Sequence, residues 1–240
     1  MEIRIFDDQS ELDRYAASLF AETVRRKPDA VLGLATGSTP IGIYEKIVEE
    51  HRRGLSFREV TTFNLDEYVG LPRNHEQSYY TYMQKHLFAH IDIRPENVHL
   101  PNGTADDLAA ECARYDALLA KHPIDIQLLG LGHNGHIGFN EPDESLIGET
   151  HVVELKRETL EANARFFASI RDVPTHAVTM GVGAILRAKT IVLAARGTDK
   201  ARIVKEALQG PITTKCPASL LQTHAHVIVL LDREAGRELE

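Results

Sequence analysis

The chain has 240 residues, of which 43% are hydrophobic and 26% charged, a balance that suits a folded α/β protein with a substantial core. Its formal charge of -8 argues against a nucleic-acid surface, because duplex phosphates require clustered Lys and Arg. No run approaches the roughly 20 apolar residues of a membrane span, and the amino terminus lacks the apolar core of a signal peptide. We therefore expect a cytoplasmic protein with neither nucleic-acid nor membrane partners. Cys112 and Cys216 form no disulfide framework, and neither is expected to be catalytic.

Strand-like and helix-like segments alternate along the chain. The predicted strands are 2–6, 30–35, 60–65, 97–100, 124–131, 176–181, 190–195 and 225–231. The predicted helices are one capped by Ser10 that ends at Lys27-Pro28, one that starts at Pro40, 79–88, one that starts at Thr104 and Asp107, 183–188 and 217–221. Most of the strands are continuous Val, Leu and Ile runs, as in parallel sheets that are buried on both faces. The pattern predicts a single α/β domain over 1–240, a Rossmann-like parallel sheet with helices on both faces.

The second predicted strand leads into a glycine turn, Thr36-Gly37-Ser38-Thr39-Pro40. Thr39 suits a helix N-cap and Pro40 suits the first helical turn. Free N–H groups at a helix start, together with the hydroxyls, could bind a phosphate. The turn matches neither a P-loop nor a GxGxxG fingerprint, so a nucleotide is not indicated. A plain, well-capped turn is the alternative.

Two carboxylates, Asp66 and Glu67, stand where the third long strand gives way to a predicted loop over 68–75. Acidic residues at strand ends usually cap helices or form salt bridges. The position also suits a general base, which must project from a rigid element into a cleft.

The stretch LLGLGHNGHIGFNEP over 128–142 concentrates the polar chemistry of the chain. An apolar strand ends in glycines, and His133, His136 and Glu141 follow. This is a common way for an α/β scaffold to present an active site, although a glycine-rich turn with surface histidines has the same pattern.

Two cations lie in segments that could bind an anion. Arg165 is in the charge-rich stretch 143–173, whose few apolar anchors suggest a helical lid. It is either a solvated helix charge or an anion ligand. Lys200 opens a helix against the dipole preference, which a bound anion would explain, although it could also be simply exposed.

Taken together, the motifs resemble the glucosamine-6-phosphate deaminase family, within the sugar-phosphate isomerase and lactonase folds. They are LATGSTP (34–40), FNLDEY (63–68), GHNGHIGFNEP (132–142), NARFF (163–167), TMGVG (179–183) and GTDKA (197–201). The resemblance spans essentially the whole chain. It implies a hydrolase of amino-sugar catabolism that converts glucosamine 6-phosphate and water to fructose 6-phosphate and ammonia, without metal or organic cofactor.

The resemblance also implies residue roles. Asp66 would be the base that moves the C2 proton toward C1, and His136 would open the pyranose ring. Glu141 would fix the tautomer of the His136 imidazole and favour its charged form. These residue types suit the chemistry, since imidazole exchanges protons near neutral pH. The residues implied for the phosphate are Gly37, Ser38, Thr39, Arg165 and Lys200.

The chain departs from the family in two places. Many members have Asp where this chain has Asn134, so the amide can orient His136 or a sugar hydroxyl but cannot ionise. We expect catalysis to survive with a shifted pH dependence. Longer members activated by N-acetylglucosamine 6-phosphate carry basic residues where this chain has His151 and Val153, so no such activation is expected. The sequence does not indicate an oligomeric state.

Four rival interpretations stay open. A galactosamine 6-phosphate enzyme would need the same base, acid and phosphate site. A 6-phosphogluconolactonase would need no C2 base such as Asp66. A non-catalytic sugar-phosphate sensor usually carries a DNA-binding helix-turn-helix, which is not visible here. The last rival, a metal hydrolase, would use His133, His136, His224 and His226, but their spacing lacks the HExxH signature.

Overall fold

A computed structural model describes residues 1–239. Its strands are β1 (Glu2–Phe6), β2 (Val31–Leu34), β3 (Thr61–Asn64), β4 (Asp66–Tyr68), β5 (Val98–His99), β6 (Ile126–Leu129), β7 (His151–Glu154), β8 (His176–Thr179), β9 (Thr190–Ala195) and β10 (Val227–Asp232). Its α-helices are α1 (Gln9–Arg26), α2 (Pro40–Arg52), α3 (Tyr79–His86), α4 (Leu108–Lys121), α5 (Arg157–Asn163), α6 (Val182–Leu186), α7 (Ala201–Gln209) and α8 (Arg233–Gly236). Within the described residues no helix is both long and apolar enough to cross a membrane.

Seven strands form a parallel sheet in the order β1-β10-β9-β6-β2-β3-β5. Every residue of β2 and β6 is buried, because both faces of the sheet are covered at its centre. The predicted α/β fold is thus confirmed. From β2 the chain continues to β3 and β5 on one side, and it returns through β6 to β9 on the other. A crevice therefore opens between β2 and β6 at the carboxyl edge of the sheet, where ligands bind in such folds.

A second, antiparallel sheet was not predicted. It has the order β4-β8-β7, with Thr179 opposite both Asp66 and His151. The expectation that 68–75 is a loop is therefore wrong at Tyr68, which pairs with Ala177. Asp-Glu-Tyr has no strong strand pattern of its own, so its extended form depends on a partner strand far away in the sequence.

The capping of two helices differs from the prediction. Asp8, rather than Ser10, is the N-cap of α1, and its carboxylate accepts the backbone N–H of Ser10 at 2.9 Å. Asp8 takes the cap because its backbone is extended while Ser10 is already helical. Helix α2 begins at Pro40 as predicted, but the Thr39 hydroxyl makes no capping bond. Its oxygen is therefore not committed to the helix.

The stretch 143–173 packs on a small apolar cluster of its own. Buried Tyr68 and Phe139 meet Leu155 there, and the partly buried Leu160 and Phe167 pack against them. Strand β7, helix α5 and short 3-10 turns make up much of this stretch. Few apolar anchors hold it, as its composition indicates.

Candidate active site

The candidate site is built around a loop that follows β6, residues 131–141, here called the histidine loop. Gly132 donates its N–H to His136 O at 3.0 Å, and Gly135 donates to Gly132 O at 3.1 Å. Gly135 has a φ of +86°, a conformation that favours glycine. A Cβ at Gly132 would lie 2.4 Å from three atoms of the His136 ring. The imidazole therefore lies flat against the backbone, and only glycine leaves room for it.

Asn134, His136 and Glu141 form one hydrogen-bonded group. Asn134 donates from Nδ2 to Glu141 Oε2 at 2.7 Å, and its Oδ1 lies 2.8 Å from His136 Nδ1. An amide oxygen only accepts, so Nδ1 carries a proton, and in the neutral form of the ring Nε2 is free to accept one. Glu141 Oε2 is 3.5 Å from Nδ1, near enough to stabilise an imidazolium.

Glu141 is held in its charged form. Burial alone would raise the pKa of this carboxyl, but the hydrogen bond and charge of His136, with bonds from Thr159 and Asn134, lower the pKa to about 2. The Thr159 hydroxyl, on α5, donates to Glu141 Oε1. One residue of the stretch 143–173 thus reaches directly into the group. Glu141 can remain an anion at any pH at which the protein works.

Asp66 lies on a separate wall, at the start of β4. Its side chain is buried, with a residue exposure of 6%, and burial together with the charge of Glu67 raises its pKa to about 8. A Cβ at Gly138 of the histidine loop would lie 3.6 Å from Asp66 Oδ2, so the carboxylate borders the loop. A buried carboxyl with a raised pKa beside a cleft is typical of a proton-transfer group.

Glu67 points away from Asp66, because successive strand residues face opposite sides. It accepts the N–H groups of Tyr68 and Tyr79 at 2.9 Å each and of Tyr80 at 3.1 Å. Burial raises its pKa, while these three backbone bonds lower it. Glu67 thus caps α3, a role that sequence reasoning missed. Two adjacent acids in an extended segment were the available signal, since only one of them can face a given cleft.

The glycine turn borders the same crevice after β2. Gly37 has a φ of +103°, and the Tyr82 hydroxyl donates to its carbonyl oxygen at 2.6 Å. Side-chain hydrogen bonds connect Tyr79 to Thr36 and to Tyr68. Helix α3, itself capped by Glu67, therefore holds the turn at two points. The first N–H groups of α2 have no partner within the helix and face the carboxyl edge.

Arg165 and Lys200 lie close enough to influence each other. Burial lowers the pKa of Lys200 to about 8, Asp199 opposes this, and the charge of Arg165 lowers it further. Burial lowers the pKa of His133, and the charges of Lys200 and Arg165 lower it further. In residues 1–239 neither Arg165 nor Lys200 has a carboxylate within ion-pair distance, whereas the Arg165 guanidinium lies 4.7 Å from the ring centre of Phe166. Two cations without a carboxylate at ion-pair distance, Lys200 after β9 and Arg165 in the stretch 143–173, favour an anionic ligand.

A buried ion pair joins elements beneath the carboxyl edge of the parallel sheet. Arg196, at the end of β9, pairs with Asp13 of α1, and both side chains are largely buried. A Cβ at Gly42 of α2 would lie 2.1 Å from Asp13 Oδ2. Through Asp13, helix α1 therefore contacts both α2, which follows the glycine turn, and the end of β9, which precedes Lys200. Sequence reasoning did not single out either Asp13 or Arg196.

The four histidines of the metal-hydrolase rival do not meet. His133 is at the carboxyl edge of the sheet, where its Nδ1 lies 3.3 Å from Asp199. His224 and His226 precede β10, at the opposite edge, and His224 Nε2 lies 2.8 Å from Ala188 O. No metal-binding group of His, Cys, Asp or Glu is found in the described part of the chain. The cluster that does form at the cleft consists of a buried acid and a histidine–carboxylate pair.

The fold and the site thus define an α/β protein with buried acid–base groups at the switch point of its parallel sheet. The family model for glucosamine-6-phosphate isomerases and 6-phosphogluconolactonase matches residues 8–230, and the chain belongs to this family. A glucosamine-6-phosphate deaminase of Bacillus velezensis is 57% identical over 94% of this chain and 95% of its own length. One of Clostridium perfringens is 48% identical over the whole of both chains.

Solved structures agree with this assignment. A monomeric glucosamine-6-phosphate deaminase superposes with a TM-score of 0.97, at 48% identity, and covers 99% of this chain and 100% of its own. A 6-phosphogluconolactonase from Leishmania guyanensis gives a TM-score of 0.77 at 23% identity, covering 100% of this chain and 98% of its own. The second similarity shows the shared fold alone.

Proposed function

We propose that this chain is a glucosamine-6-phosphate deaminase, converting glucosamine 6-phosphate and water to fructose 6-phosphate and ammonia. The observation that carries the proposal is the pairing of buried Asp66 with the Asn134–His136–Glu141 group across Gly138, beside two cations without carboxylate partners. Aldose–ketose conversion of a cyclic sugar needs two such proton-transfer groups, one for the ring and one for C2. Relatives of this name at about half identity support it.

Ring opening is assigned to His136. Its free Nε2 would take the proton of the C1 hydroxyl and return one to the ring oxygen, which leaves an aldehyde at C1. Glu141 would stabilise the imidazolium that forms, and Asn134 would keep Nδ1 protonated and oriented. The two proton transfers, from the C1 hydroxyl and to the ring oxygen, need neither a metal nor an organic cofactor.

Isomerisation and deamination follow at C2. Asp66, when ionised, would remove the C2 proton while the C1 aldehyde oxygen gains a proton from the ammonium group of the substrate, which gives an enolamine. The protonated Asp66 would then deliver its proton to C1. The product is an imine at C2, and water adds to it to give the ketose and free ammonia. Because the base must be charged to act, the amino group of the substrate, near C2, would favour its ionisation.

The phosphate is assigned to the turn Gly37, Ser38 and Thr39 and to the cations Arg165 and Lys200. Backbone N–H groups and two charged donors suit the three oxygens of a phosphate. Arg165 belongs to the stretch 143–173, which we propose is a lid that closes when the phosphate recruits this arginine. The exposed Phe166 and Ile170 of the lid would then be partly covered.

A small sugar phosphate is the proposed partner, and a charge of -8 argues against nucleic acid. Because the substrate is phosphorylated, the proposed location is the cytoplasm. The chain is also expected to lack activation by N-acetylglucosamine 6-phosphate, given His151 and Val153. A sigmoidal rate curve that this ligand abolishes would contradict that expectation.

The test is ammonia release from glucosamine 6-phosphate, galactosamine 6-phosphate and both unphosphorylated sugars, with EDTA present. Release from the first sugar alone is expected, and it identifies reaction and epimer together. Hydrolysis of 6-phosphogluconolactone, without ammonia release from either amino sugar, would instead make the chain a lactonase. Retention of full activity by Asp66→Asn would remove the proposed base.

Two matched variants test the assignment of the phosphate site. Arg165→Met should raise KM for glucosamine 6-phosphate by roughly 10- to 100-fold, the value of one charged hydrogen bond. Arg171→Met removes an exposed arginine of the same lid and should leave KM within about threefold. Equal KM values for the two variants would contradict the assignment.

A further inference from the structure

We propose that Thr179 is a positioning residue that fixes the distance between the Asp66 base and the histidine loop; the inference rests on the proposed function. Thr179 opens the motif TMGVG, to which the proposed chemistry gives no role. It is the last residue of β8, has no exposed surface, and lies directly opposite Asp66 in the antiparallel sheet.

The side chain of Thr179 reaches the other wall of the site. Its Oγ1 accepts the backbone N–H of Phe139 at 3.1 Å. The same oxygen lies 3.1 Å from the place where a Cβ at Gly138 would stand, a point that is 3.6 Å from Asp66 Oδ2. Thr179 therefore contacts β4, the strand of Asp66, through its backbone, and it contacts the histidine loop through its hydroxyl.

A second link runs beside the first. Asn140 donates from Nδ2 to Ile137 O and to Met180 O, at 2.9 Å each, and Met180 donates its N–H to Leu65 O at 2.7 Å. The tight turn 137–140 is thus tied to the residues next to Asp66. Since this turn connects His136 to Glu141, its position sets where both groups stand relative to the base.

The chemistry explains why the distance matters. His136 acts at C1 and the ring oxygen, while Asp66 acts at C2 of the same sugar. Groups that serve adjacent atoms must be held within about 0.5 Å of their productive positions. Valine would fill the space of Thr179 but would leave the buried N–H of Phe139 without an acceptor, so the loop should shift to satisfy it.

The experiment compares Thr179→Val, Thr179→Ser and the control Thr62→Val. Thr62 is equally buried, but its hydroxyl has no hydrogen-bond partner, so its replacement removes the same atom without breaking a bond. We expect kcat for ammonia release to fall roughly 10- to 100-fold in Thr179→Val, with KM within about threefold, because the phosphate site lies on other elements. Thr179→Ser should recover most of kcat, and Thr62→Val should match the parent.

A deuterium isotope effect separates positioning from mere stability. With C2-deuterated glucosamine 6-phosphate, a misplaced base makes proton transfer slower, so the isotope effect on kcat should rise in Thr179→Val and stay unchanged in Thr62→Val. Loss of folded protein would lower kcat without moving the isotope effect, and that result would overturn the proposal. If Thr179→Val does not fold, Thr179→Cys keeps the volume with a weaker acceptor and should show the same rise; an unchanged effect there overturns it equally.

The proposed function can fail separately. No ammonia release by the parent protein would overturn the deaminase assignment and the positioning role with it. Release by the parent, with parental kcat and isotope effect in Thr179→Val, would overturn the positioning role alone.

Discussion

Asn134 donates its amide hydrogen to Glu141 at 2.7 Å, so an uncharged group stands beside the carboxylate that serves His136. Asn134→Asp would set two carboxylates at hydrogen-bond distance. Their repulsion should raise the pKa of Glu141 above its value of about 2. We expect activity to survive near neutral pH, with a pH dependence of kcat/KM that is shifted from that of the parent.

A pH profile of kcat/KM for ammonia release provides the check. Asn97→Asp adds the same charge just before β5, at the far edge of the sheet, and should leave the profile unchanged. If the Asn134→Asp profile superimposes on that of the parent, the amide does not set the charge state of this group.

Asp66 should make the protein less stable as pH rises. Its pKa is about 8 in the folded protein against 3.8 ordinarily, so between these values the folded state binds more protons than the unfolded state. The free energy of unfolding must then fall with increasing pH in this window. Asp66→Asn cannot ionise, and it should therefore melt higher than the parent at pH 8, with a smaller advantage at pH 5. Its ammonia release should fall roughly 100- to 10,000-fold, the usual worth of a general base.

Thermal melting of the two proteins at both pH values tests the stability claim, and single-turnover ammonia release tests the chemistry. A melting difference that stays constant with pH would mean that Asp66 is ionised throughout. A stable but fully active Asp66→Asn protein would remove the base from the mechanism.

Glu67 affects both the fold and the base. Glu67→Gln keeps one acceptor but replaces a charged cap of α3, at a cost of about 2 kcal/mol, which corresponds to a fall in melting temperature of roughly 4–8 °C. It also removes the nearby charge that helps to raise the pKa of Asp66. The limb of kcat/KM that reports ionisation of the base should therefore move to lower pH.

The matched control is Glu111→Gln. Glu111 is also a buried acid that accepts a backbone N–H, from Asn102 at 2.8 Å, but it does not contribute to the pKa of Asp66. This variant should lower the melting temperature and leave the limb in place. Identical pH profiles in the two variants would exclude an influence of Glu67 on the base.

Elements that a local sequence pattern specifies were predictable, whereas elements that depend on distant contacts were not. Strands such as β2, β6 and β9 were predictable because a buried parallel strand must be a continuous apolar run. The glycine turn and the histidine loop follow such strands, so their meeting at one edge was also predictable. The antiparallel sheet was not predictable, because β4 is a charged tripeptide that becomes a strand only by pairing with β8. Helix α8, of four residues, was not predicted either.

Residues that support the site were the least predictable part of it. Thr159 and Thr179 act through hydrogen bonds to residues far away in the sequence, and no local pattern marks them. Asp13 and Arg196 form an ion pair across almost the whole chain. Catalytic residue types can be inferred from chemistry, whereas their supports are known only when the tertiary contacts are known.

Gly132 offers the sharpest steric test of the histidine loop. Alanine would put a Cβ 2.4 Å from three ring atoms of His136, closer than real Cβ atoms approach, so the imidazole must move. A displacement of about 1 Å in a proton-transfer group costs on the order of 100-fold, and we expect that loss in kcat for Gly132→Ala. Substrate binding should change little, because the glycine turn and the two cations are untouched.

Gly148→Ala, whose Cβ would have its nearest neighbour 4.0 Å away, should retain kcat within about threefold and the parental melting temperature. Steady-state kinetics and thermal melting of both variants decide the matter: a fully active Gly132→Ala protein would show that His136 need not lie against this backbone to open the ring.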